Sequence, residues 1–129
     1  MAGYQNTNAV SLIAGEAAGL SIGRVVKSDT DGTMIYPTAA TDELVGVTCE
    51  GGVADGDVIG VNTGGGIALV EVGTGGVTQG VAVGTEALTD GRITDAVAGA
   101  GKSIIGVALD TGAVGAFVRV ALNIGKLEA

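Results

Sequence analysis

Apolar residues in this chain come in short runs broken by glycine, aspartate, threonine and asparagine. Strand-like stretches recur at Ile22 to Val26, Thr33 to Tyr36, Leu44 to Cys49, Val58 to Val61, Ile67 to Val72, Val81 to Val83, Ile104 to Leu109 and Ala116 to Leu122. Two of them alternate cleanly enough to assign faces, because successive side chains of a strand point to opposite sides. Val118, Val120 and Leu122 oppose Phe117, Arg119 and Ala121, and Ala68, Val70 and Val72 oppose Ile67, Leu69 and Glu71. Such half-buried strands belong to antiparallel sheets. Evenly spaced short strands with turn residues between them predict an all-β fold, a small antiparallel sandwich or barrel. Helical candidates are confined to Ala14 to Ala18 and Asp95 to Ala100, both short and touching glycine, which costs ~1 kcal/mol in a helix interior. Residues 1–8 are polar and aperiodic and lead into the strand-like Ala9 to Ala14, so residues 1–15 are expected to form an extended arm on a single β domain, 16–129.

The pattern repeats. Gly19-Leu20-Ser21-Ile22-Gly23, then Asp31-Gly32, then Leu44-Val45-Gly46-Val47 with Glu50, returns as Gly80-Val81-Ala82-Val83-Gly84, Asp90-Gly91 and Ile104-Ile105-Gly106-Val107 with Asp110. Copies of about 19–62 and 80–122 imply one supersecondary unit used twice. A glycine entering a strand, with a second four residues on, allows a positive-φ turn followed by a bulge or bend. The sheets are therefore expected to be strongly curved.

Composition limits what this scaffold can do. Nearly half of the 129 residues are hydrophobic, which separates the chain from disordered glycine-rich sequences. There is no Trp, and Phe117, Tyr4 and Tyr36 are the only aromatic residues. A core of Val, Ile, Leu and Ala must then gain its stability from close backbone approach rather than from bulk. The net charge of −8 and six scattered Lys and Arg argue against nucleic acid and against an anionic membrane surface. No apolar run is long enough to span a bilayer, and the N-terminus has no signal-peptide pattern, so synthesis in a cytoplasm without export is expected. Cys49 is alone, which fits that compartment, and it reads as a small apolar side chain.

Catalytic signatures fail on inspection. Gly101-Lys102-Ser103 has the end of a phosphate-binding loop, but Ala96 stands where the first glycine is required and a strand-like run follows where a helix should open. Asp29-Thr30-Asp31-Gly32 begins like a calcium loop but lacks the later ligands, and Asp-Gly between two strands is a hairpin turn. With no histidine, Ser-His-Asp and Cys-His machinery and the usual zinc ligand sets are excluded. The acid pairs Asp42/Glu43 and Asp55/Asp57 read as solvated loop surface, since a glycosidase cleft commonly carries aromatic platforms. No enzymatic role and no cofactor, metal or small-molecule substrate are expected.

Val53-Ala54-Asp55-Gly56-Asp57-Val58-Ile59-Gly60 and Ile105-Gly106-Val107-Ala108-Leu109-Asp110, followed by Val118-Arg119-Val120-Ala121-Leu122, resemble the small capsid cement, or head decoration, proteins of tailed bacteriophages. The resemblance covers most of residues 16–122. It implies a structural virion protein on the outer face of the capsid, a homotrimer that clamps neighbouring major capsid protein subunits against the pressure of packaged DNA. Under that reading Tyr4, Val10, Leu12 and Ile13 of the arm, with Phe117, are the interface candidates, the arm adding a strand to a neighbouring sheet. The rival expectation is a carbohydrate- or receptor-binding β module of a phage fibre or surface appendage.

Overall fold

In the computed structural model, which describes residues 9–85, 90–95 and 101–126, the valine- and isoleucine-rich runs form ten strands and the described residues contain no helix. They are β1 (Ala9–Ile13), β2 (Val25–Ser28), β3 (Met34–Ile35), β4 (Leu44–Thr48), β5 (Val58–Asn62), β6 (Ile67–Glu71), β7 (Ala82–Gly84), β8 (Thr94–Asp95), β9 (Ser103–Ala108) and β10 (Phe117–Lys126). Every ladder between them is antiparallel. Two five-stranded sheets result, in the orders β1-β5-β4-β2-β3 and β6-β10-β9-β7-β8. They pack as a sandwich; neither closes into a barrel. Within each sheet the two edges meet only at one isolated parallel bridge, Ala14 with Met34 and Val72 with Ile93.

The two sheet orders are the same topology shifted by five strands, so the chain is a tandem duplication at the level of the backbone. Its units are longer than the recurring motifs show: each begins with an edge strand, β1 or β6, ahead of the first glycine pair. The glycine register also differs from the one the sequence suggests. Leu20 bridges Val53 as Val77 bridges Gly112, which aligns Gly19 and Gly23 with Gly76 and Gly80 rather than with Gly80 and Gly84. All four take positive φ, at 85°, 72°, 73° and 85°. Gly84 does not; it lies inside β7. The misalignment arose because Gly-x-x-x-Gly occurs twice in a row around Gly80, and spacing alone cannot say which pair bends the chain. For the later motifs the registers agree, Val26 facing Gly46 as Val83 faces Gly106.

Each unit has its own interior. Ala14, Leu20, Val26, Met34, Ile59 and Val61 cluster in the first, and the matching positions Val72, Val77, Val83, Ile93, Val118 and Val120 are buried in the second. The second cluster extends across the junction to Val25, Leu44 and Val47, on the opposite face of the first sheet. Leu44 and Val47 are three residues apart and share a face only because parity changes along β4, at the register shift in the β2–β4 ladder between Val26 and Lys27. Val45 then joins the first interior while Leu44 and Val47 face the second unit.

Residues 9–13 of the expected arm are not extended away from the domain. β1 pairs with β5 from Ala9 opposite Asn62 to Ile13 opposite Val58, and Ala14 is fully buried. Pairing within the chain satisfies the strand that the sequence leaves open for a partner. Tyr4 and the rest of residues 1–8 lie outside the described residues.

Candidate interaction surface

Asp31, Asp42 and Ser103, singled out in the sequence, make hydrogen bonds that hold loops. Asp31 Oδ1 accepts Thr33 N–H at 3.2 Å and Thr33 Oγ1 at 2.7 Å, closing the β2–β3 hairpin, and these bonds hold its carboxyl below the ordinary carboxylate range. Burial pushes the Asp42 carboxyl upward, but Thr38 N–H at 2.8 Å, Ala39 N–H at 3.0 Å and Lys27 Nζ at 3.1 Å together outweigh it and leave its pKa low. Ser103 opens β9 rather than a helix; its N–H donates to Ala40 O at 2.8 Å and its hydroxyl to Asp42 O. The residues ahead of it, 96–100, lie outside the described residues. Asp55 and Asp57 are exposed beside a loop.

Glu50 and Asp110 occupy equivalent places and do equivalent work: Glu50 Oε1 accepts Gly60 N–H at 2.7 Å, and Asp110 Oδ2 accepts Arg119 N–H at 3.0 Å. Asp110 adds a two-point pair with the Arg119 guanidinium, at 2.9 and 2.7 Å, and Arg119 draws its pKa down to about 2. Burial pushes the Cys49 thiol up, so it stays protonated at neutral pH.

Two surface depressions also obey the repeat, one of about 410 Å³ between residues 74–78 and 112–114, the other of about 250 Å³ between 18–21 and 52–54. Both are lined by small uncharged residues. Neither offers a charged group that could hold an ionic ligand.

The apolar surface carries more information. Val10 and Ile13 are each 43% exposed on β1, and Val58, directly across from Ile13, is 57% exposed. Leu12 faces the opposite side from Ile13, the side it shares with Val10, Ile59 and Val61, and packs on the first interior. Phe117 is 48% exposed but its ring lies over Gly23, where a Cβ would come within 2.7 Å of it. Sequence reasoning thus named Val10 and Ile13 on one edge and Phe117 at the junction of the units, which are different surfaces. It did not name four other exposed apolar residues, Val58 and Val107 on strands and Ile22 and Val114 in turns. Alternation in Val58 to Asn62 could have found Val58, since Ile59 and Val61 occupy the opposite face.

No family model matches the sequence, and no curated protein matches it. Among solved structures, the fold matches that of the N base of the head fiber gp8.5 of bacteriophage phi29. The TM-score is 0.67 at 20% sequence identity, over 94% of this chain and 99% of that one. The likeness is one of fold. It takes in both five-stranded units, since only a match to the whole duplication could cover so much of both chains.

Proposed function

We propose that this chain is a structural protein of a phage virion, mounted on the outside of the head as a homotrimer, where it bridges major capsid protein subunits and stabilises the expanded shell. The observation that carries the reading is the end-to-end fold match to a head fiber base, reached independently of the cement-protein resemblance in the sequence. The surface supports it. The body is acidic, and Val10, Ile13, Val58, Val107 and Phe117 leave apolar surface exposed on strands at more than one place, as a bridging protein requires.

A ligand that binds only the expanded lattice stabilises that lattice by its binding free energy, and many identical contacts add through avidity. Purified protein mixed with empty expanded capsids should decorate them at fixed lattice positions in electron micrographs, and unexpanded capsids should stay bare. Equal binding to both, or to neither, would defeat the proposal. A second reading, a fibre or appendage module that binds a host receptor or glycan, gains support from the neighbour being part of a fiber. Glycan-array binding with capsids left undecorated would favour it.

A further inference from the structure

The junction between the two units is head-to-tail. The first unit contributes the outer face of β2 and β4 and the 40–43 loop, and the second contributes the end of β6, the Asp90-Gly91 turn and the start of β10, with Ser103 and Lys126 bonded to the loop. Glu71 N–H donates to Gly23 O at 2.9 Å and Val25 N–H to Gly91 O at 2.8 Å. Arg24 meets Glu71 at 3.0 Å, and Phe117 covers Gly23. The reciprocal halves of these contacts are open. A Cβ on Gly91 would strike Val25 O at 2.4 Å, yet nothing lies within 4 Å of one on Gly32. Gly23 is buried under Phe117 and Leu69, while its counterpart Gly80 faces open space. Val25 and Val47 are buried; of their counterparts Ala82 is half-buried and Val107 is exposed.

Each molecule therefore carries one unfilled half-junction at either end. Side chains there differ from those of the internal junction on both sides of the contact. Where the internal junction has Arg24 against Glu71, the open ends have Val81 and Ile13, and the counterpart of Phe117 is Val58. An ion pair stands inside the chain where an apolar pair stands at its two ends. We propose that a second copy of this chain fills these faces, the second unit of one molecule seating the first unit of the next as its own two units seat each other. Ile13 N–H then meets Gly80 O, Ala82 N–H meets Gly32 O, and Ile13 and Val58 pack on Val81 and Val107. Such a contact is heterologous and builds a ring or a filament. It deepens the oligomeric part of the proposed function but is tested without capsids, so failure of one leaves the other standing.

Sedimentation velocity of the full chain across a concentration series tests it. Val81→Arg and Ile13→Glu should each weaken self-association at least roughly tenfold, since truncating or charging a central apolar contact has effects of that order. The double variant rebuilds the Arg24–Glu71 pair between molecules and should recover most of the loss, as should a one-to-one mixture of the two single variants. Thermal melts of each variant confirm folding, and Val107→Glu provides an independent block on the same face. A wild-type chain that stays monomeric at every concentration, or self-association indifferent to these changes, overturns the proposal.

Discussion

At the scale of single residues, the paired glycines Gly46 and Gly106 show how a core without bulk is held. Neither takes positive φ; each is required because its backbone passes close to the next strand, where an added Cβ would lie 2.1 Å from Asn62 O or Ala121 O. Gly46→Ala and Gly106→Ala should each cost at least about 1–3 kcal/mol in urea denaturation, as overpacking does, because the obstructing atom is backbone and cannot swing aside. Gly125→Ala, with nothing within 4 Å of the new methyl, should be nearly neutral. The carboxylates give a second residue-level prediction. The Asp110, Asp42 and Asp31 pKa values are all depressed in the folded state. Their contribution is therefore present above the unfolded value of 3.8 and is lost as pH falls toward the folded values, about 2 for Asp110. Melting temperature should drop between pH 4 and 2, and Asp110→Asn should make that drop shallower. The glycine spacing was legible in the sequence; which glycines bend the chain and which admit a neighbouring strand was not, since both uses leave the same letter.

At the scale of elements, the strands were readable because a run of valine and isoleucine bounded by glycine leaves the chain few other ways to bury its side chains. The short β8, Thr94–Asp95, was missed, having too few residues to alternate. β1 was recognised as a strand but expected to reach for a partner. An edge strand satisfied in cis and one satisfied in trans have the same sequence signature. Deletion of residues 1–14 should therefore do more than detach a fastener: it removes β1, the buried Ala14 and the Ala14 N–H bond to Asp57 O, and the melting temperature should fall sharply. Removing residues 1–8 alone keeps the whole of β1 and Ala14. If Tyr4 and its neighbours are the fastener, the same truncation should abolish decoration of capsids. Between the units, Glu71 receives Arg24 at 3.0 Å and faces Arg92 at 4.0 Å, with its own side chain 17% exposed. Glu71→Ala should destabilise by about 1–3 kcal/mol, because it leaves two guanidinium groups without their shared carboxylate.

At the scale of the whole molecule, the duplication is the fact from which the functional argument grows. It makes one interface visible inside the chain and leaves the two halves of that interface open at its ends. The unit that seats Gly23 and Val25 is assembled from residues as far apart as Glu71, Gly91 and Phe117. No spacing in the sequence joins those positions, so the sequence could nominate Phe117 without knowing what it covers. The order of its residues already determined an all-β chain with repeated units, a small-residue core and an acidic net charge, because alternation, turn chemistry and charge are local properties written residue by residue. Only the tertiary structure decided that β1 folds back on its own sheet, that the repeat is five strands long, that Gly19 matches Gly76, and which apolar residues remain uncovered. Those outcomes depend on contacts between distant segments, and the free energy of a contact is set by what the rest of the fold brings opposite to it.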